Sequence, residues 1–290
     1  MSSAARAGHE QRSTSEPSPF AKSATCAISI LPLKSQIKHR VSRPPSPYRP
    51  FKLKVCFCVR GLATPLLANV YLHYVFDLWV DVWRRKVAKG DVIVVRYADD
   101  LVMGFQQRAD AMRFLEEFKE QLAKFSLELH PEKTRLIEFG RYAARDRTRR
   151  GEGKPETFNF LGFTHYCGQR HKTKTFTVWR ITAKLRMIAK LKAIQAELRN
   201  RKHDRTSQVG SWLRKVVLGY YQYHAVPGNI DQLRTFRQRT NRLWRNVLVR
   251  RSQRARTKWK SLTKVFDRWL PYPHVLHPYP NARFYATHPS

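Results

Sequence analysis

The feature that most constrains this chain is a change of hydrophobic period on either side of Gly90. Over residues 65–89, apolar residues recur at helical spacing through Leu66, Leu67, Val70, Tyr71, Tyr74, Leu78 and Val82. Gly90 then stands where a helix commonly stops. Two short β-type runs follow, residues 92–97 and 101–105, with Ala98, Asp99 and Asp100 at their junction. This pattern predicts a hairpin with two carboxylates at its tip. The spacing next predicts a helix over 109–125, with Met112, Leu115, Phe118 and Leu122 on one face. A loop over 129–134 and a strand over 136–139 complete the run. Helix, hairpin, helix and strand make an α+β unit built on an antiparallel sheet.

A basic linker, 141–154, leads to Phe158-Asn159-Phe160-Leu161-Gly162-Phe163. A polar turn (168–174) and a strand over 175–180 complete a second predicted hairpin. Beyond it the period becomes helical and stays so. Ile181, Leu185, Ile188, Leu191, Ile194 and Leu198 mark one helix. A second carries Val209, Trp212, Leu213, Val216, Val217 and Tyr220, and a third Ile230, Leu233, Phe236, Leu243, Trp244 and Val247. A shorter one holds Trp259, Leu262, Val265, Phe266 and Trp269. Residues 180–268 contain 24 Lys and Arg against four acids, which predicts a basic, all-helical second domain.

The whole chain of 290 residues carries a net charge of +35. A chain this basic repels itself unless it meets a polyanion, and the interleaved aromatics favour nucleic acid over an anionic membrane surface or a merely solubilising charge. No run approaches the roughly 18 apolar residues of a membrane span. Cys26, Cys56, Cys58 and Cys167 lack the spacing of a zinc site or a disulfide framework, so a reducing, intracellular compartment is expected. Residues 1–61 are rich in Ser, Pro, Ala and Arg, and Glu10 and Glu16 are their only acids. Neither period is sustained there, which predicts a disordered segment. An Arg- and Ser-rich organelle transit peptide is the alternative.

Adjacent carboxylates on a tight turn repel, and a proton or a divalent cation relieves the repulsion. On so basic a chain, a cation-binding tip points to chemistry on phosphates. Asp is also a favoured turn residue, and the dipeptide alone reads first as a solvated turn. The surroundings add a resemblance. Tyr97-Ala98-Asp99-Asp100 resembles the active-site signature of reverse transcriptases, in the form typical of group II intron-encoded proteins. Pro65-Leu66-Leu67-Ala68-Asn69-Val70-Tyr71-Leu72 resembles the helix before the catalytic hairpin of that family. Leu127-Glu128-Leu129-His130-Pro131-Glu132-Lys133-Thr134 resembles the loop and lysine motif after it. Phe160-Leu161-Gly162-Phe163 is similar to the hairpin that grips the primer end. Residues 181–285 resemble the thumb, or maturase, domain through Trp212-Leu213-Arg214, Tyr220-Tyr221-Gln222-Tyr223-His224 and Arg250-Arg251-Ser252-Gln253-Arg254.

The resemblance implies an α+β fold: a partial palm over 62–180, then an all-α thumb over 181–290. Asp99 and Asp100 would bind Mg²⁺, and Lys133 would act near the nucleotide's phosphates. Tyr97, Ala98, Leu161 and Gly162 would contact the primer or the incoming deoxynucleoside triphosphate (dNTP). Lys184, Lys190, Lys192, Arg214, Arg250, Arg251, Arg254 and Arg256 would contact RNA. The implied partners are group II intron RNA and an RNA template with a DNA primer, with no membrane. The implied compartment is a bacterial-type cytoplasm, or an organelle in a eukaryote.

The chain departs from that family before residue 62. Nothing in residues 1–60 resembles the basic fingers, the earlier strand with a further catalytic Asp, or the Pro-Gln-Gly segment. A truncated or frame-shifted start, or a fusion, is therefore expected, and the isolated chain is not expected to polymerise without a complementing fingers-palm fragment. No zinc-ligand pattern of a His-Asn-His endonuclease follows Phe284. The readings are a truncated reverse transcriptase and maturase, a splicing-assistance protein without catalysis, and a non-specific basic coating protein.

Overall fold

The computed structural model describes residues 26–34, 63–170, 173–251 and 259–279. Strand β1 (Cys26–Lys34) precedes helix α1 (Ala63–Leu72), a π turn (His73–Asp77) and helix α2 (Leu78–Lys86). The hairpin β2 (Val92–Tyr97) and β3 (Asp100–Phe105) comes next, then α3 (Arg108–Lys124), β4 (Glu128–Leu129) and β5 (Arg135–Phe139). The first sheet is antiparallel in the order β2-β3-β1-β4, with β5 also paired to β1.

The helices cover one face of this sheet. Phe76, Val80 and Trp83 meet Leu101, Met103 and Phe105 of β3 and Phe114, Phe118 and Leu122 of α3. Trp79 stacks on Phe118 with centroids 5.5 Å apart. Burying each such ring contributes about 1.5–3 kcal/mol. The Asp110 carboxylate, buried at the start of α3, accepts the amides of Lys89 (3.0 Å) and Gly90 (2.9 Å). That contact ties the α2–β2 turn to α3 and so fixes where the hairpin begins.

The stripe expected to face the core is not the one that does. Leu67, Tyr74 and Leu78 are 54%, 64% and 49% exposed, and Leu66, Val70 and Val82 are exposed with them. This helix is apolar on more than one side, and the side carrying Phe76, Val80 and Trp83 meets the sheet. Met112 is likewise exposed, while Ala111 and Phe114 replace it in the core.

A larger correction concerns β1. Disorder was expected throughout residues 1–61, yet Cys26–Lys34 is the strand between β3 and β5. Ser29, for example, pairs with Met103 on one edge and Leu136 on the other. Without it, β3 and β5 would each present an unpaired edge, which is costly inside a sheet. The rest of that expectation lies outside the described residues.

The basic linker contains a short helix, α4 (Ala143–Arg149), whose neighbour Arg150 pairs with Glu138 and Glu152. The predicted second hairpin is a three-stranded meander, β6 (Phe158–Phe160), β7 (Phe163–Gln169) and β8 (Phe176–Thr182). The run that read as one strand turns back at Leu161–Gly162, because both residues adopt positive φ, +47° and +77°. Phe158 packs between Phe139 (5.1 Å) and His165 (4.8 Å) and joins the two sheets.

Four helices follow: α5 (Lys184–Asn200), α6 (Thr206–His224), α7 (Ile230–Arg250) and α8 (Trp259–Trp269). Leu191, Ile194, Leu213, Val217, Phe236, Trp244 and Phe266 form their shared core. Arg237, buried within it, pairs with Asp267 at 2.7 Å, donates to the Leu270 carbonyl and lies 3.9 Å from the centroid of Tyr272. Asn229 stitches β8 to the helices. Its Oδ1 accepts the Thr182 amide (2.9 Å), and its Nδ2 donates to Thr182 Oγ1 (2.8 Å) and the His224 carbonyl (2.7 Å). No helix among the described residues is long and apolar enough to cross a membrane.

Candidate active site at the carboxylate hairpin

Tyr97 pairs with Asp100, so Ala98 and Asp99 form a two-residue turn. Ala98 has φ +54°, a conformation that glycine adopts more readily than alanine, so the tip needs outside support. Arg96 supplies it. Its guanidinium donates to both Asp77 carboxylate oxygens (2.8 and 2.6 Å), to Asn69 Oδ1 (2.9 Å) and to the Ala98 carbonyl (3.2 Å). A planar donor fork matched to a carboxylate resists rotation better than a single contact. The π turn carrying Asp77 and the helix carrying Asn69 thus clamp the tip from behind.

In front of the tip lies a cleft of roughly 400 Å³, lined by Asp100, Leu101, Lys133, Arg135, Thr157, Phe158, Asn159 and Phe160. Partial burial pushes the Asp100 carboxyl above the usual carboxylate range, and the Asp99 charge adds to it. Lys133 and Arg186 pull the other way. Lys133 is therefore close enough to act on the tip, and so is Arg186 in the first turn of α5. Tyr97, Ala98, Asp99 and Asp100 are all exposed.

The donor set meets only part of what a pair of Mg²⁺ ions requires. Two metals bridging one displacement need carboxylates from more than one strand. The strand beside the hairpin is β1, whose Leu31 and Pro32 pair with Leu101 and Asp100. Its nine residues include no Asp or Glu. Among the described residues, no three His, Cys, Asp or Glu side chains gather in one place. The carboxylates of the described residues do not by themselves fit a two-metal centre.

Residues 59–165 match the family model of the reverse transcriptases, RNA-dependent DNA polymerases. The match spans the hairpin, the cleft and the turn at Leu161–Gly162, in less than half of the chain. No curated protein matches the chain.

Within the matched region, the structure brings Asp99, Asp100 and Lys133 within electrostatic reach of one another. It sets Leu161–Gly162 next to Phe160 at the edge of the cleft. The residues expected to touch RNA are more scattered. Lys184, Lys190, Lys192, Arg214 and Arg250 are exposed on three different helices, and Arg251 is exposed just after α7. Arg251 reaches the Arg201 carbonyl just beyond α5 (3.4 Å), so it is separated from Lys184 by the length of that helix, about 25 Å. Arg254 and Arg256 lie outside the described residues. Sequence reasoning missed Arg96, Arg135 and Arg186. For Arg96 the available signal was a lone charge inside an apolar strand.

Proposed function

We propose that this chain is an RNA-binding protein derived from a reverse transcriptase of the group II intron maturase type, with no polymerase activity of its own. The observation that carries this reading is the acid-free β1 beside a hairpin that keeps both its carboxylates. The chemistry of the tip is half present, while the basic surface is intact. Intron RNA is the partner that the resemblance favours, and the C-terminal helices correspond in this reading to the thumb. Mg²⁺ would meet Asp99 and Asp100 only as a single, incompletely held ion. A fingers-palm fragment made separately would be the source of any dNTP-dependent synthesis. The cleft beside Asp100 and Lys133 keeps that second reading open.

The test is RNA binding as a function of salt. Phosphate contacts release counterions, so six to ten of them lose roughly 10³–10⁵ in affinity between 50 and 200 mM salt. Filter binding with a structured intron RNA should show that slope, and a small, specificity-free preference over duplex DNA would favour a coating protein instead. Absent or salt-independent binding would contradict the proposal.

A further inference from the structure

Four arginines set below the surface each meet a carboxylate. Arg96 faces Asp77, Arg147 faces Glu152, Arg201 faces Glu197 and Arg237 faces Asp267. Arg180 of β8 is half-buried as well, yet among the described residues it meets no carboxylate and no hydrogen-bond acceptor. Burial holds its pKa below the usual arginine range, but a guanidinium stays charged at any working pH. A charge withdrawn from water without a partner costs stability. The surplus of cations in this chain does not account for it, because surplus cations such as Lys184 and Lys190 stay in water.

The strand register sets what lies beside Arg180. It stands directly opposite His165 on β7, and His165 stands directly opposite Phe158 on β6. Opposite residues of an antiparallel pair share one face of the sheet. Phe158, His165 and Arg180 therefore form a row, on the face that Phe158 turns to Phe139 of the first sheet. The His165 ring lies flat on Phe158, with centroids 4.8 Å and planes 7° apart, so the stack fixes its orientation. Its Nδ1 is buried without a hydrogen-bond partner. Among the described residues, Arg180 is the one charge acting on this ring, against a backbone hydrogen bond at Phe163. The neighbouring rows on the same face are Cys167 opposite Val178 and Phe163 opposite Thr182, and neither brings an acid. The Cys167 Sγ accepts the Gly140 amide at 3.2 Å. Phe158 alone of its row lines the cleft beside Asp100, so Arg180 and His165 lie outside that cleft.

We propose that Arg180 and His165 form a binding site for one tetrahedral oxyanion, a phosphate group or sulfate, on the inner face of the β6–β8 meander. The guanidinium offers a planar fork of N–H donors that matches two oxygens of such an ion. The imidazole is the second donor, since protonation puts a hydrogen on both ring nitrogens. Without an anion, burial and the Arg180 charge keep the proton off His165 down to about pH 4. A bound anion neutralises that charge and raises the midpoint. Proton and anion therefore bind together, and the hold on the anion tightens as pH falls toward the midpoint of His165. The phosphate group is either a free anion or a phosphodiester of a nucleic-acid backbone, which present the same oxygens.

The experiment follows the His165 ring by proton NMR in the full chain, its resonance identified by its loss in His165→Gln. The ring is titrated in sodium chloride, in sodium sulfate at equal ionic strength, and in chloride with a short oligouridylate. Neither sulfate nor uracil titrates in this range, so a moved midpoint belongs to the protein. Sulfate should raise the wild-type midpoint by about one pH unit, a tenfold tighter hold on the protonated form. Arg180→Met keeps the stem and removes the fork, and it should abolish the rise. In chloride the same variant should unfold at the wild-type urea concentration or a higher one, because an unpartnered charge is gone. Arg180→Lys, which keeps the charge without the fork, should show less than half of the rise. A rise with sulfate alone assigns the site to a free anion, and a rise with oligouridylate assigns it to backbone phosphates. No rise with either, or an undiminished rise in the Arg180 variants, overturns the inference. The proposed RNA binding is read separately, from its salt dependence, and stands or falls on that measurement.

Discussion

Arg96 shows how much a single side chain can hide from sequence reading. In the alternating run Val92–Tyr97 it occupies an ordinary strand position, and its partners Asp77 and Asn69 lie a helix away. Its side chain is only 18% exposed and that of Asp77 30%. Removing one member of such a pair leaves the other poorly solvated. Arg96→Met should cost about 2 kcal/mol in urea unfolding, a value discounted for the remaining exposure. Asp77→Asn in the same background should add less than it does alone; full additivity would show that the two do not act through each other. His165 makes a second prediction at this scale. Burial, with Arg180 adding to it, lowers its pKa to about 4, against a backbone hydrogen bond to Phe163. Below pH 6.5 the unfolded chain takes up a proton that the folded chain refuses until about pH 4, so stability falls across that window. His165→Phe keeps the stack on Phe158 and should remove about 2–3 kcal/mol of the acid loss between pH 7 and 4.5. Parallel losses in wild type and variant would place the proton elsewhere.

Elements were legible where period and punctuation agreed. The β2–β3 hairpin combines apolar runs with a turn, and helices α5 to α8 each carry several periodic anchors, so both were readable. Strand β1 was not. Ala27 to Leu33 is a short apolar run without sustained alternation, which period alone does not identify, and it sits in a Ser- and Pro-rich background. The α1–α2 helix failed differently. Its apolar residues support more than one stripe, and periodicity does not say which stripe meets a sheet. The tight turn at Leu161 was hidden because leucine rarely adopts positive φ. If β1 holds the sheet together, Ser29→Pro should remove a ladder donor in its middle and destabilise the chain by about 3 kcal/mol. Limited proteolysis of that variant should cut within 92–105 and 135–139. An unchanged digestion pattern and urea midpoint would mean that β3 and β5 hold without β1.

The whole molecule joins two tendencies that sequence already separated: a region of antiparallel sheets and helices with most of the acids, and a strongly basic helical region. Of the 21 acidic residues only four fall beyond residue 180, so the C-terminal helices present an almost unopposed cationic surface to a polyanion. Of the candidate site, Asp99 and Asp100 were readable as adjacent carboxylates at a turn, whereas Lys133, more than thirty residues further on, was named only through the family resemblance. What β1 contributes beside them was not readable, since it depends on which strand fills the neighbouring place in the sheet. That place decides the central claim, because positioning of metals and substrate supplies most of phosphoryl-transfer catalysis. Primer extension on an RNA template with Mg²⁺ and dNTPs, comparing the chain alone with its Asp99→Ala variant, tests it most directly. No product from either protein, with RNA binding equal in both, is the predicted result; synthesis by the chain alone that Asp99→Ala abolishes would contradict it.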